Sequence, residues 1–159
     1  MTMPAYSDPK ADLLQAFLQT DYRILPRSEA LGVMIGERHP RLDETVEQRH
    51  WAILTAYNPG ARRDEGGANE RRHQQLLAVI ADAGLDFLPA CNRDRQGQWP
   101  DEPALLIIGA ESDWLISQAQ RLGQLAVVAG RPGDAAELWL VEGEWPEPLP
   151  DHVRQVARR

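Results

Sequence analysis

Three segments of the chain show the apolar spacing of an amphipathic helix. In each segment, apolar residues recur three or four positions apart and so fall on one helical face. Residues typical of helix ends flank these segments, with Asp8-Pro9 before the first and Gly84 and Gly123 after the other two. The pattern predicts helices over residues 9–20, 69–83 and 112–122, and a short surface helix over residues 41–48.

Shorter apolar or alternating runs predict the strands of a sheet. The run from Trp51 to Tyr57 is nearly continuously apolar, as expected for a strand buried at the centre of a sheet. Turn residues separate the runs, for example the segment 26–29 and the polar hairpin 92–102. The predicted strands cover residues 22–24, 31–35, 51–57, 85–91, 104–108, 125–129 and 137–141.

The order of these elements predicts an α+β fold. From residue 51 the order is strand, helix, strand, strand, helix, strand, which is the arrangement of a ferredoxin-like split βαβ core over residues 51–129. An N-terminal helix and two strands precede this core, and an extra C-terminal strand follows it. The alternative is a three-layer, mainly parallel α/β sheet, in which the helix over residues 41–48 joins strands 31–36 and 51–57 in a crossover.

Length and composition favour one globular domain. The chain has 159 residues, of which 43% are hydrophobic and 26% charged, close to the globular average. Residues 144–150 are rich in proline, which predicts an irregular segment. We therefore expect a single domain over residues 1–143 and an irregular tail over residues 144–159.

Charge and side-chain inventory exclude several classes of function. The net charge of −7 repels phosphate backbones, so nucleic acid is not a favoured partner. The histidines are scattered and no phosphate-binding or dinucleotide fingerprint occurs, so we expect neither a metal site nor a cofactor. A single cysteine, Cys91, and the lack of a signal peptide or a long apolar run predict a cytoplasmic protein without a membrane partner. The oligomeric state stays open.

Polar side chains gather where several predicted elements begin or end. Because successive strands and helices alternate in direction, the ends at residues 57–58, 69–72, 99–102 and 124 should lie at one end of the sheet. Loops that converge at strand ends commonly form ligand sites. The candidate ligand-binding residues are Tyr57, Asn58, Asn69, Arg72, Trp99, Glu102 and Gln124.

Each candidate also has an ordinary structural interpretation. Asn69 is suited to cap the predicted helix, and Glu102 is suited to pair with Arg72. Gln124 follows a helix end, where its side chain could satisfy orphan carbonyl groups. As a set, however, the amides, carboxylate, guanidinium and aromatic rings suit a small polar molecule or the edge of a peptide.

Several strings in the chain resemble one family. They resemble the bacterial domain-of-unknown-function family three-two-nine-three, whose members carry ITAYNP-like, N-x-x-R, W-x-E and GQ-x-A motifs. The strings are ILTAYNP, ANERRHQQLL, GQWPDEPALLIIG and RLGQLAVVAG, with AFLQTDYRIL and LGVMIGERHPRL before them, over roughly residues 12–130. The resemblance falls on the candidate residues above and on Pro59, but the family carries no established activity.

The chain departs from the family pattern at three positions. Ala61 and Ala104 stand where members often have serine, and Leu125 stands in place of the usual asparagine. A mechanism that uses either hydroxyl as a nucleophile is therefore disfavoured.

Two functions remain open. The first is a non-catalytic binding or adaptor module that uses the polar end of the sheet for a small polar ligand, a peptide or a protein. The second is a small enzyme acting on a phosphorylated or carboxylated metabolite, with Glu102 as general acid or base and Arg72 as the anion clamp. An enzyme requires the Glu102 carboxyl in a water-excluding pocket that raises its pKa.

Overall fold

The computed structural model describes residues 8–25, 29–64 and 67–157. In these ranges the chain forms helices and strands around a single sheet. The helices are α1 (Pro9–Gln19), α2 (Pro40–Thr45), α3 (Ala68–Asp82) and α4 (Ser112–Arg121). The strands are β1 (Asp21–Ile24), β2 (Leu31–Val33), β3 (Trp51–Leu54), β4 (Asp86–Arg93), β5 (Glu102–Ile108), β6 (Ala126–Gly130), β7 (Glu137–Leu140) and β8 (Val153–Gln155).

The eight strands form a mixed sheet in the order β2-β1-β4-β5-β3-β6-β7-β8. Among the described strands every neighbouring pair is antiparallel except β7–β8. The α+β prediction is therefore confirmed, and the mainly parallel alternative is wrong. The apolar run of β3 arises because this strand lies in the sheet interior with helices over both faces, a requirement that does not depend on strand direction.

Helices cover both faces of the sheet. On one face, α3 and α4 bury Leu76, Ile80, Leu115 and Ala119 against β3, β5 and β6. On the other face, α1 and the α2 region pack with Leu14, Leu42 and Val46 against the alternate residues of the same strands. This alternation follows from the pleat, which sends successive side chains to opposite faces. The arrangement places α1 over the end of the sheet where the candidate residues lie.

The segment predicted to be an irregular tail is only partly irregular. Val153–Gln155 form β8, which pairs in parallel with β7 along the edge of the sheet. Trp145 is buried, and its ring lies 6.3 Å from that of Phe17 on α1. The proline-rich sequence did not predict this strand. β8 forms through its pairing with β7 and shows no local pattern of its own. The division of the chain at residue 143 stays a prediction.

Several element ends differ from the predicted ones. Strand β3 ends at Leu54 and not at Tyr57, and β2 ends at Val33. Strands β4 and β5 are longer than predicted, because their antiparallel pairing continues to Asn92 and Glu102. The predicted turn over residues 26–29 falls mostly on residues 26–28, which lie outside the described residues.

Candidate functional site

The site is built around a tight turn that follows β3. Asn58 adopts the left-handed conformation, with φ 52° and ψ 62°, and a 3₁₀ turn over Pro59–Ala61 follows it. The Gly60 backbone N–H donates to the Gly123 carbonyl at 2.8 Å. A side chain at Gly123 would place its Cβ only 2.9 Å from the Cβ of Pro59. The close approach of these two loops therefore depends on glycine at position 123.

Asn58 is the hub of the polar cluster. Its side chain is buried, with 8% of the residue exposed, and its Nδ2 donates to Glu102 Oε1 at 2.8 Å. Its Oδ1 accepts from the Asp64 backbone N–H at 2.9 Å and from Asn69 Nδ2 at 3.0 Å. Its backbone N–H donates to Asn69 Oδ1 at 2.8 Å. Asn58 thus joins the turn, the start of α3 and the start of β5.

Asn69 does not cap α3, so the N-cap prediction is wrong. The cap residue is Gly67, in the left-handed conformation, and Asn69 lies within the first turn of the helix. The Asn69 amide instead holds the turn, because it bonds Asn58 and the carbonyl of Asp64. The preference of asparagine for helix starts is local, and here a tertiary contact overrides it.

Arg72 also serves the turn. Its Nε donates to the Ala56 carbonyl at 3.0 Å, and its Nη2 donates to Asp64 Oδ2 at 2.8 Å and to Asn69 Oδ1. The predicted pair between Arg72 and Glu102 is therefore wrong, because Asp64 is the carboxylate that pairs with the guanidinium. The Asp64 partner was missed because it lies in a loop of mixed charges that gave no spacing signal.

Gln124 ties the α4–β6 connection to the same turn. Its Nε2 donates to the Tyr57 carbonyl at 2.9 Å, and 8% of the residue is exposed. The Gln124 side chain therefore does not bond a carbonyl group of its own helix, as the structural interpretation suggested; the Gln124 backbone N–H donates to the Ala119 carbonyl at 2.9 Å. The contact with Gln124 involves only the backbone of Tyr57, and the Tyr57 hydroxyl donates to Glu70 Oε2 at 3.1 Å.

Trp99 belongs to the loop between β4 and β5. The Asp94 carboxylate organises this loop by accepting from the backbone N–H groups of Gln96, Gln98 and Trp99 at 2.9 to 3.0 Å. These hydrogen bonds, led by that from Gln96, lower the pKa of Asp94. Trp99 is 40% exposed, and the Arg63 guanidinium lies 5.8 Å from its ring centre.

A cleft of about 740 Å³ opens beside the cluster, between α1, the 94–101 loop and the ends of β3 and β6. Its walls are largely apolar and come from α1 and from the sheet face that α1 covers. The apolar lining includes Leu13, Phe17, Ile53, Val128 and Leu138. Five of the candidate residues line it, namely Tyr57, Asn58, Trp99, Glu102 and Gln124. Asn69 and Arg72 do not, and they hold the turn from behind.

Glu102 is the carboxylate at the polar end of the cleft. It is half-buried, and burial raises the pKa of its carboxyl group, against the opposing effect of the Asn58 hydrogen bond. Within the described ranges, Glu102 has no ion-pair partner. The structure therefore provides a carboxyl group that is partly desolvated and has no neutralising cation.

Two further polar residues at the cleft, Tyr22 and Asn92, were missed by the sequence reasoning. Tyr22, Asn92 and Glu102 are cross-strand neighbours on β1, β4 and β5, so their side chains share the face beneath α1. Asn92 Oδ1 is buried and has no hydrogen-bond partner among the described residues. Strand-end asparagines are common, and only the register of three strands reveals this row.

Comparison with known proteins finds one family whose model matches this region. A family model described as "Protein of unknown function (DUF3293)" matches residues 54–127. The predicted family resemblance is confirmed. All seven candidate residues lie inside the matched segment, whereas α1, which forms one wall of the cleft, lies outside it. No curated protein and no solved structure matched the chain.

The described residues form neither a metal-binding cluster nor a membrane-spanning helix. In residues 8–25, 29–64 and 67–157, no group of three or more His, Cys, Asp or Glu side chains is placed to hold a metal ion. No helix in that part of the chain is long and apolar enough to cross a bilayer.

Proposed function

We propose that this protein is a non-catalytic binding module whose cleft under α1 takes a small molecule with an apolar body and a polar end. The supporting observation is an apolar-walled cleft of about 740 Å³ that ends in a few convergent polar groups. Small-molecule sites in proteins have this size and this composition. An adaptor role, in which a peptide side chain enters the same cleft, is the variant of this proposal with a larger partner.

The hydrogen bonds divide polar residues of the site into two groups. Asn69 and Arg72 bond the turn and Asp64, and they lie outside the cleft lining. Glu102 and Asn92, in contrast, line the cleft and have unfilled hydrogen-bonding capacity in the described part of the chain. Unfilled polar groups at the end of an apolar cavity favour a ligand. In our proposal, the first group therefore holds the turn and the second group contacts the ligand.

The strand order also supports a proposal about the fold. We infer that β3 to β6, with α3 and α4, form a ferredoxin-like split βαβ unit within the larger sheet. The strand order β4-β5-β3-β6 and the antiparallel direction of each neighbouring pair support this reading.

The function is tested by binding of 4-phenylbutanol, a neutral probe with an apolar body, followed by NMR on the full chain. Ala16→Trp fills the cleft from the exposed side of α1, and Ala78→Trp makes the same change on α3, away from the cleft. We expect the probe to shift signals of cleft residues in the parent and in Ala78→Trp, but not in Ala16→Trp. Equal binding by all three proteins, or by none, would contradict the proposal.

A second candidate function is catalysis by Glu102. Burial raises the pKa of this half-buried carboxyl, which is the direction of shift that favours a general acid or base. The predicted anion clamp is not supplied, because Arg72 is engaged by Asp64 and lies behind the turn. Turnover of a phosphorylated or carboxylated metabolite that Glu102→Gln abolishes, with the fold intact, would favour the enzyme over the binding module.

A further inference from the structure

We propose that the cleft is selective for a cationic ligand, a molecule with an apolar body and a protonated amine that is placed against Glu102. This inference rests on the proposed function, since it names the chemical class of the ligand for that cleft. It is carried by the hydrogen-bonding and charge inventory of the cleft lining.

Four side-chain donor groups at the polar end of the cleft already make hydrogen bonds inside the protein. Asn58 Nδ2 donates to Glu102, and Gln124 Nε2 donates to the Tyr57 carbonyl. The Tyr22 hydroxyl donates to the Phe17 carbonyl at 2.7 Å, and the Thr55 hydroxyl donates to the Pro103 carbonyl at 2.9 Å. These four groups therefore have few donor hydrogens left for a ligand.

Two acceptor groups at the polar end of the cleft, on Glu102 and Asn92, can accept further hydrogen bonds. Glu102 receives one hydrogen bond, from Asn58, in the described ranges, although a carboxylate accepts several. Asn92, its cross-strand neighbour, has a buried Oδ1 that receives no hydrogen bond from the described part of the chain. A buried acceptor without a donor is costly, so a ligand that brings donors relieves that cost. An ammonium group brings three.

The charge around the cleft points the same way. The charged residues of its lining are Asp12 on α1, Asp94 and Arg95 in the 94–101 loop, and Glu102. The three carboxylates outnumber the single guanidinium, which lies against the Met34 sulfur. The whole chain carries a net charge of −7, which attracts cations and repels anions. An anionic ligand would meet Glu102 without a compensating cation at the polar end.

The test compares three probes that share one apolar body: 4-phenylbutylamine, 4-phenylbutanol and 4-phenylbutyrate. We expect the amine to bind the parent about tenfold more tightly than the alcohol, as for a charge-assisted hydrogen bond, and the carboxylate to bind most weakly. Calorimetric titration of the full chain at neutral pH measures all three. The variants are Glu102→Gln, which keeps an acceptor for Asn58 but removes the charge, and Glu44→Gln, an exposed control on α2.

The outcomes separate this inference from the proposed function. If Glu102→Gln reduces amine affinity to that of the alcohol, and Glu44→Gln does not, the cation preference stands. If all three probes bind the parent equally and Ala16→Trp blocks them, the cleft binds ligands but the cation preference is wrong. If no probe binds, both proposals are overturned. Tighter binding of the carboxylate would reverse the inferred charge.

The pH dependence adds an independent check. Because only ionised Glu102 attracts the amine, amine affinity should fall as pH falls through the raised pKa of this carboxyl, while alcohol affinity stays constant. Asp12, Asp94 and Arg95 also face the cleft, and burial raises the pKa of the Tyr22 and Tyr57 phenols, so both stay protonated in this range. Glu102→Gln should remove the fall, and a fall that persists in this variant would assign it to another group.

Discussion

At the scale of single residues, Asn58 connects the turn after β3 to the Glu102 carboxylate at the polar end of the cleft. It takes up a left-handed conformation that asparagine tolerates better than most residues, and its amide bonds Glu102, Asp64 and Asn69. Asn58 therefore fixes where the Glu102 carboxylate lies. The apolar strand β3 is followed by hydrogen-bonding side chains because Asn58 joins the turn after this strand to α3 and β5.

Asn58→Ala should lower the free energy of unfolding by about 2–4 kcal/mol, because it leaves buried partners unsatisfied and places alanine in the left-handed region. Asn58→Gly loses the same hydrogen bonds but accepts that backbone conformation, so it should be about 1 kcal/mol more stable than Asn58→Ala. Urea unfolding measures both. Equal stability of the two variants would contradict the conformational part of this explanation.

Gly130 is a residue whose role is purely steric. It pairs with Trp51 across β6 and β3, and a Cβ at this position would lie 2.2 Å from the Trp51 ring. We expect Gly130→Ala to destabilise the protein by about 1–3 kcal/mol through overpacking. Gly32→Ala is the matched control, because a Cβ there meets its nearest atom at 3.5 Å. Thermal unfolding should show a change for Gly130→Ala alone, and an unchanged midpoint in both would be inconsistent with this packing.

At the scale of elements, the cleft depends on how α1 is held over the sheet. Two contacts hold α1 to the C-terminal segment. The Phe17 ring packs against the Trp145 ring, and the Lys10 ammonium lies 4.3 Å from the centre of the Trp145 ring. The Trp145 indole N–H donates to the Glu142 carbonyl at 2.9 Å, which fixes the ring. The C-terminal segment therefore supports one wall of the cleft although it does not line it.

Trp145→Ala should destabilise the protein by about 3 kcal/mol or more, because it removes a buried ring, and it should also weaken probe binding in the cleft. Trp99→Ala removes a ring that is 40% exposed and should cost about 1 kcal/mol or less. Urea unfolding and the 4-phenylbutanol titration check the pair. If Trp145→Ala loses stability but binds the probe as the parent does, α1 does not need this support.

The sequence was most informative about elements and their directions. Helices α1 and α4 begin and end within a residue or two of their predicted bounds, since caps and apolar spacing are local signals. The meeting of Asn58, Glu102 and Gln124 was also predictable, because alternating elements return to the same end of the sheet. The cleft was not predictable, because the face that α1 covers depends on tertiary packing. The role of Asn69 and the β8 strand were misjudged for the same reason.

At the scale of the whole molecule, the acidic chain keeps the Glu102 carboxyl partly out of water at the polar end of the cleft. Burial disfavours the charged form of Glu102, so its pKa is higher in the folded than in the unfolded state. Between the two pKa values the folded state binds more protons, and its stability falls as pH rises through the folded value. Such a cost is common at sites that are kept for binding.

Glu102→Gln, which resembles the protonated form, should therefore unfold at a higher temperature than the parent at neutral pH. Its free energy of unfolding should exceed that of the parent by less than about 2 kcal/mol. The difference should disappear below the ordinary pKa of a glutamate side chain, where the parent carboxyl is protonated in both states. Thermal unfolding of both proteins across a pH series measures this. A variant that is less stable than the parent at neutral pH would mean that the Glu102 charge stabilises the fold.

The central claim is that Glu102 faces a ligand cleft from a partly desolvated position. Its most direct test is a pH titration of the Glu102 side-chain carboxyl carbon by ¹³C NMR, with and without saturating 4-phenylbutylamine, assigned with Glu102→Gln. We predict a pKa above the ordinary glutamate value in the free protein, and a lower pKa when the amine is bound, because binding and ionisation are linked. An ordinary pKa that the probe leaves unchanged would contradict the claim.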